Sequence, residues 1–153
     1  MKPILLYILV AIFAIFIGSQ ITEGVLLLSY WQSLTANEFY TYYNDFGHTI
    51  GSFYTVLTII AVLIPLFVTI YCKIKRSKGF NFALLSTLSA FLFLASFYMY
   101  FKGTNELFFQ SALSETKLKN ELIVWGYWHL GRVIVECLSL LFLILSFTKI
   151  DKT

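Results

Sequence analysis

The residues with the clearest chemical potential lie close together in the last third of the chain, within the segment Trp125–Glu136. With about 100° of rotation per helical residue, Trp125, His129, Arg132 and Glu136 fall within roughly 60° of one helix face. An imidazole held by a carboxylate can act as a general base, and a guanidinium can stabilise an oxyanion. The spacing therefore predicts a polar stripe in which His129 is the base and Arg132 is the oxyanion partner.

Three further polar residues extend this stripe into a candidate site. Glu23 lies in the first apolar stretch, His48 opens the second, and Asn105 follows the third. We predict that Glu23, His48 and Glu136 act as a proton relay or as metal ligands. The number of polar groups that converge here exceeds what is needed to neutralise one buried charge. This excess favours a functional site over a single structural ion pair. A structural ion pair of Arg132 with Glu136 or with Glu23 is the alternative.

The same residues include the ligand types of a transition-metal site. The candidate ligands are His48, His129, Glu23 and Glu136. Two histidines and a carboxylate are a known grouping for iron, copper or zinc, although the chain has no HxxH, HExxH or ExxH spacing. Two cofactor states stay open, either none or one transition metal. Trp125 and Trp128 are the residues expected to contact a bound organic group.

Long apolar stretches must position these residues. The chain has 153 residues, of which 59% are hydrophobic and 12% charged, about half the charged fraction of a soluble domain. A helix needs about 20 apolar residues to cross a hydrocarbon core of about 30 Å. Stretches of this length cover residues 4–31, 49–72, 80–101 and 122–148. We predict an all-α integral membrane four-helix bundle that forms a single domain over residues 1–153.

The distribution of basic residues predicts the orientation of the bundle. Four Lys and Arg side chains lie between residues 73 and 79, whereas the stretch from Gln32 to Gly47 has none. By the positive-inside rule, the basic loop at 73–79 and both termini face the cytoplasm, as in a bacterial inner membrane. The candidate site then lies in the outer half of the bundle. The inner half is expected to consist of Leu, Ile, Val and Phe.

Two short segments are expected at the outer interface. Thr35 and Glu38 have the spacing of a capping box, and residues 35–45 are predicted to form a short helix that lies along the interface. Gly103 is expected to end the third helix, with Asn105 as the cap of another short helix. The net charge of +3 is small, and the lysines lie at helix ends. Nucleic-acid binding is therefore not expected.

The layout of the chain resembles the anthrone-oxygenase-like family of small integral membrane proteins. The likeness lies in the four spans, in the Thr-Asn-Glu-Leu run at 104–107, and in Trp125, His129 and Arg132 at the start of the fourth span. The resemblance implies oxygen insertion into a polyketide anthrone to give a quinone, without an added cofactor. It carries site roles over to Asn105, Trp125, His129 and Arg132. The family pattern does not include three other candidate residues, Glu23, His48 and Glu136.

The functional hypothesis is a small membrane oxidoreductase or oxygenase that acts on a lipophilic phenolic or quinone-like molecule. Two alternatives stay open. The first is a non-catalytic subunit whose polar stripe packs against the helices of a larger membrane complex. The second is a membrane protein that binds a metal or haem without turnover. The expected partners are accordingly a lipophilic small molecule, membrane lipid, and either a second copy of the chain or other membrane subunits.

Overall fold

The computed structural model describes residues 3–150, and within this range the chain is helical and contains no β-strand. Helix α1 comprises Pro3–Thr22, a π-helical turn at Glu23–Leu27, and Leu28–Ser33. Helix α2 spans Ala36–Ile74. Helix α3 comprises Phe80–Ser96, a π-helical turn at Phe97–Phe101, and Lys102–Phe109. Helix α4 spans Glu115–Lys149.

Each of the four helices is long and apolar enough to cross a membrane. Large apolar side chains are exposed along all of them, for example Ile15, Leu63, Leu92 and Ile134. A surface of this kind suits lipid rather than water, because water disfavours large apolar patches. The predicted all-α membrane bundle is confirmed.

Consecutive helices are neighbours in the bundle. The most extensive packing joins α3 to α4, followed by α2 to α3, and α1 closes the ring against α4 and α2. One core cluster surrounds Phe16 and Leu143, towards the basic loop, and a second, largely aromatic cluster surrounds Trp31 and Phe108 at the opposite end, which we call the distal end. Glu23 lies between the two clusters along α1, as does Arg132 along α4.

Helices α2 and α3 extend further towards the distal end than predicted. The capping box of Thr35 and Glu38 is confirmed, since the Thr35 N–H donates to Glu38 Oε2 over 2.8 Å and the Glu38 N–H donates to Thr35 Oγ1. The prediction of a separate interfacial helix over residues 35–45 is wrong, because the capping box starts α2 itself. Gly103 and Asn105 lie inside α3, so neither ends nor caps a helix as predicted.

Contacts between the helices explain these extensions. The Phe39 and Phe108 rings pack edge to face with centroids 5.1 Å apart. The Tyr40 hydroxyl donates to the Leu113 carbonyl over 2.8 Å and accepts from the Leu113 N–H over 3.1 Å. Packing of this kind outweighs the cost of about 1 kcal/mol that a glycine such as Gly103 adds to a helix.

The half of the bundle next to the basic loop contains buried polar side chains, contrary to the prediction of a purely apolar interior. Ser86 and Ser139 exchange hydrogen bonds, with Ser86 Oγ donating to the Ser139 carbonyl over 2.7 Å and Ser139 Oγ donating to the Ser86 carbonyl over 2.9 Å. The Thr69 and Thr87 hydroxyls lie 2.8 Å apart. Short polar side chains thus join α2, α3 and α4, as they commonly do between membrane helices.

Candidate functional site

Glu23 and His129 form a buried pair between α1 and α4. Glu23 Oε2 lies 3.8 Å from His129 Nδ1, and His129 Nε2 lies 2.8 Å from the backbone carbonyl oxygen of Gln20. A carbonyl oxygen can only accept a hydrogen bond, so Nε2 carries a proton and donates it. Nδ1 therefore faces Glu23, and at this separation it makes no hydrogen bond to the carboxyl group or to any other group of the described residues.

The imidazole of His129 packs closely against an indole and a glycine. Its ring stacks on Trp125 with a centroid distance of 4.8 Å and an interplanar angle of 8°. Gly24 also lies close to the ring, since an added Cβ there would come within 2.8 Å of His129 Cδ2. A larger residue at Gly24 would therefore displace the ring from its hydrogen bond to Gln20.

The π-helical turn of α1 lets two adjacent residues face the site. The Leu28 N–H bonds to the Glu23 carbonyl five residues earlier, whereas an α-helix closes its bonds over four residues. The wider turn accommodates one extra residue. Glu23 can thus direct its carboxyl inward while Gly24 supports His129 next to it.

The guanidinium of Arg132 is held by two phenyl rings. Its Cζ atom lies 4.3 Å from the ring centroid of Phe93 and 4.3 Å from that of Phe101. The ion pairs formed by residues 3–150 are Glu115–Lys119 and Glu23–His129. Arg132 thus belongs to neither pair, and its buried Nε has no hydrogen-bond partner in the described part of the chain. The alternative of a direct Arg132–Glu136 or Arg132–Glu23 ion pair is not supported.

The second π-helical turn aligns the two rings that hold Arg132. Phe93 and Phe101 are eight residues apart, which in a regular helix would leave them about 80° apart around the axis. The turn at Phe97–Phe101 adds one residue, so the pair behaves like residues seven apart and shares a face. Helical irregularities of this type are frequent at functional sites, and here both of them border the same group of polar residues.

A cavity of about 850 Å³ lies next to these residues and opens between α2 and α3. Glu23, Trp31, Trp125 and Arg132 form its polar wall. Both indole N–H groups are buried and have no acceptor among the residues that the structure describes. The other walls combine aliphatic and small polar residues with the aromatic side chains of Tyr43, Tyr54, Phe97, Tyr98, Phe101 and Phe109. The cavity combines hydrogen-bond donors, a cation and a carboxyl group with surfaces suited to a flat ring.

The cavity is open towards lipid and towards the distal rim. Val56 and Ile59 of α2 and Tyr98 of α3 line it and are exposed on the outside of the bundle. At the rim it is lined by the more polar side chains of His48, Lys102, Asn105 and Glu106. A lipophilic molecule can therefore reach the polar wall sideways from the membrane.

The structure brings only part of the predicted site together. Of the predicted site residues, Glu23, Arg132, Trp125 and Asn105 line the cavity. His129 is not among the residues that line it, and its imidazole is buried next to Glu23 and Trp125. The group that can touch a ligand is accordingly the carboxyl of Glu23 rather than the imidazole.

The other predicted residues lie apart from this wall. Both carboxyl oxygens of Glu136 are buried, with no hydrogen-bond partner within residues 3–150, and Glu136 does not line the cavity. Trp128 faces away from it and stacks on Tyr100, with centroids 5.0 Å apart. Trp128 is therefore not placed to contact the same bound group as Trp125.

The predicted metal site is not supported. Its proposed ligands were His48, His129, Glu23 and Glu136. Over the described range, no three His, Cys, Asp or Glu side chains converge as a metal site requires. The physical reason is that His48 is at the rim, where its ring stacks on Phe109 at 4.4 Å, while Glu136 is buried elsewhere on α4.

Three aromatic residues of the site were missed by sequence reasoning. Trp31 supplies a wall of the cavity, and Phe93 and Phe101 hold Arg132. Aromatic residues are common at membrane interfaces and in spans, so their presence alone does not distinguish site residues from anchors. The position of Trp31 two turns beyond Glu23 on the same helix was the one available signal.

No family model, curated protein or solved structure matches the chain. The functional proposal therefore depends on the geometry of the site. The resemblance to the anthrone-oxygenase-like family therefore rests on the short motifs alone. Of their residues, Asn105, Trp125 and Arg132 line the cavity and His129 supports its wall.

Proposed function

We propose that the chain is a small integral membrane oxidoreductase of the oxygenase type, which binds a lipophilic phenolic or quinone-like molecule in the cavity between α2 and α3. One observation carries the proposal: Glu23, Arg132, Trp31 and Trp125 line one wall of the cavity, and the buried indole N–H groups of the two tryptophans have no acceptor among the described residues. A flat ring that bears oxygen atoms is complementary to this wall. Its oxygens accept hydrogen bonds, and its faces pack against the aromatic residues.

Glu23 is the general base in this proposal. Its carboxyl lines the cavity, while His129 contacts it from behind and can take up or return the proton. His129 is thus a positioning residue and proton partner, which differs from the role of base predicted from the stripe. Arg132 stabilises the anion left on the ligand, because a desolvated guanidinium interacts strongly with a developing oxyanion.

The reaction that the family resemblance implies is consistent with these roles. Glu23 removes a proton from the methylene carbon of an anthrone, and the resulting carbanion reacts with dioxygen to form a carbon–oxygen bond. The peroxide takes back a proton, and the hydroperoxide then loses water to leave a carbonyl group. One molecule of dioxygen is consumed and one of water is released for each quinone formed.

Oxygen uptake by the purified protein in lipid nanodiscs tests this function. With an anthrone or a hydroquinone as substrate, we expect Glu23→Gln and Arg132→Gln each to lower kcat/KM by at least about 100-fold. His129→Asn should have a smaller effect. Thr22→Val is the matched control, because Thr22 precedes Glu23 on α1 but is exposed on the outside of the bundle.

Each alternative predicts a different result. Equal oxygen uptake by the wild type and Glu23→Gln would remove Glu23 from the mechanism. Co-purification with larger membrane proteins, without turnover of the isolated chain, would favour the non-catalytic subunit. Elemental analysis and absorbance spectra of the same preparation test the second alternative, since a stoichiometric metal or haem without turnover would replace the proposed oxygenase with a binding protein.

A further inference from the structure

A second recess lies on the other side of α3, between α3 and α4. It encloses about 430 Å³ and is lined by Leu92, Ser96 and Met99 of α3 and by Gly131 and Val135 of α4. We call it the α3–α4 groove. Its other wall residues include Phe93, Trp128 and Arg132, so Arg132 borders this groove as well as the cavity.

The side chains that line the groove carry a positive charge and no negative charge within the described chain. Arg132 is the charged residue among those that line it, and no Asp or Glu does so within the described chain. The Ser96 hydroxyl donates to the Phe93 carbonyl over 2.6 Å, and most of the other lining side chains are apolar. A cation at the base of an apolar groove is complementary to an anionic group that carries a hydrocarbon chain.

The depth of Arg132 below the membrane interface suits the charged head group of such an amphiphile. Trp128 lies four residues, or about 6 Å along the axis, towards the distal end and stacks on Tyr100. Paired aromatic rings of this kind mark the interfacial belt of membrane proteins. Leu92 and Val135 continue the groove from Arg132 towards the basic loop. A head group at Arg132 would thus direct its chain into the hydrocarbon core.

We propose that the α3–α4 groove binds a single-chain, monoanionic amphiphile of the fatty-acid class. The carboxylate pairs with the guanidinium of Arg132, and the acyl chain lies along Leu92 and Val135. The groove has a volume of about 430 Å³, which suits one acyl chain better than a two-chain lipid. This site does not depend on the reaction proposed for the cavity, although both contain Arg132.

Binding of radiolabelled oleate to the full chain in zwitterionic nanodiscs tests the site. We expect saturable binding that Gly131→Leu and Arg132→Gln each weaken by at least about tenfold. Gly131→Leu is expected to fold, because an added Cβ there has no neighbour within 4 Å. The matched control is Thr55→Leu, which changes the cavity on the other side of α3 and should leave oleate affinity within about twofold.

A comparison of oleate with methyl oleate tests whether binding requires the negative charge of the carboxylate. Methyl oleate has the same chain without the carboxylate, and we expect it to show no saturable binding. Equal binding of oleate and methyl oleate, unchanged oleate affinity in Gly131→Leu, or loss of binding in Thr55→Leu would each overturn the proposal. Because no turnover is measured, failure of the cavity as an enzyme site leaves these outcomes unaffected.

Discussion

Among the individual residues, Arg132 has the least usual environment. Removing a cation from water costs several kcal/mol, while a cation–π contact contributes about 0.5 to 2 kcal/mol. The two phenyl rings therefore hold the guanidinium in place without fully compensating its burial. A guanidinium held in this way remains available to an anionic ligand.

Gly24 is the residue on which the position of His129 depends most directly. In Gly24→Ala the new methyl group would lie 2.8 Å from His129 Cδ2 and 3.1 Å from Nε2, so the ring must move away from Gln20. We expect a loss of about 1 to 3 kcal/mol in unfolding free energy, as for other overpacked cores. Chemical denaturation in detergent measures this loss.

Gly18→Ala is the matched control for that experiment. Gly18 lies on the same helix, and an added Cβ there has no neighbour within 4 Å. Because alanine has a higher helix propensity than glycine, Gly18→Ala should be neutral or stabilising. A similar destabilisation in both variants would show that the contact with His129 is not the cause.

Trp125 combines two roles that one substitution can separate. Trp125→Phe keeps an aromatic ring beside His129 but removes the indole N–H, which is buried without an acceptor in the described residues. We expect affinity for a dihydroxyanthraquinone to fall by about 2- to 10-fold, the value of one hydrogen bond. Thermal stability should fall only through the reduced packing of the smaller ring against Trp31 and Phe101, because no protein hydrogen bond is lost.

Trp128→Phe provides the comparison for this binding measurement. Trp128 borders the α3–α4 groove and stacks on Tyr100, so its substitution should leave quinone affinity unchanged. If Trp128→Phe weakened quinone binding as much as Trp125→Phe, the quinone would not be bound at the wall of the cavity.

At the scale of the helices, the two π-helical turns have a common function. One begins with Glu23 on α1 and the other ends with Phe101 on α3. Each turn inserts one residue and so changes the set of side chains that face the interior at the level of the site. The α-helical segments on either side of the turn each keep one buried face. The polar wall therefore depends on two local changes in helical geometry rather than on a bend of a whole helix.

Deletion of Met99 tests the role of the turn in α3. Met99 is 71% exposed within the π-helical turn, and its removal would leave Phe93 and Phe101 seven residues apart. A regular α-helix then keeps both rings on nearly one face. We expect the deleted protein to fold with nearly unchanged thermal stability, measured by circular dichroism during heating.

Deletion of Leu88 is the corresponding control in a regular part of α3. Leu88 is 55% exposed, so its own side chain contributes little to the core. Its removal would nevertheless rotate every later residue of α3 by about 100° relative to the bundle and expose Phe93 and Phe101. We expect this variant to misfold. Equal stability of the two deletions would contradict the proposed role of the extra residue.

At the scale of the whole molecule, hydropathy was sufficient to predict the four helices but not their ends. Runs of apolar residues predict spans because lipid cannot solvate the backbone. The distal extensions could not be predicted in the same way, since they are held by contacts between distant residues. Tyr40 bonds to Leu113, and Lys119 donates to the carbonyls of Gln32 and Leu34 at the end of α1.

The candidate site was predictable where it follows helical periodicity. Trp125 and His129 are buried on one face of α4, as their spacing indicates. The division of roles between Glu23 and His129 was not predictable, because it depends on the close approach of α1 to α4 at Gly24. The π-helical turns have no distinctive sequence pattern. They change the register of α1 and α3 at the level where the site is formed.

The orientation of the molecule in the membrane has a direct test. We propose that the basic loop is cytoplasmic. In Asn37→Cys and Lys75→Cys variants the new thiols replace exposed side chains near opposite ends of α2. A membrane-impermeant maleimide applied to intact cells should label the cysteine at Asn37 and not that at Lys75. The reverse pattern would invert the topology.

The native Cys72 does not interfere with this labelling, because it is completely buried. Replacement of the exposed Cys137 by serine in both variants removes the other native thiol. Lysis of the cells before labelling provides the positive control, since both introduced cysteines should then react.

The stacking of His129 on Trp125 has a spectroscopic consequence. A protonated imidazole in contact with an indole quenches its fluorescence by electron transfer, whereas a neutral imidazole does so far less. The emission of Trp125 should therefore report whether His129 carries a second proton. When Trp31 and Trp128 are replaced by phenylalanine, Trp125 is the one tryptophan left of the three in the chain. Its intrinsic fluorescence would then report protonation of His129 and binding of a ligand without an attached dye.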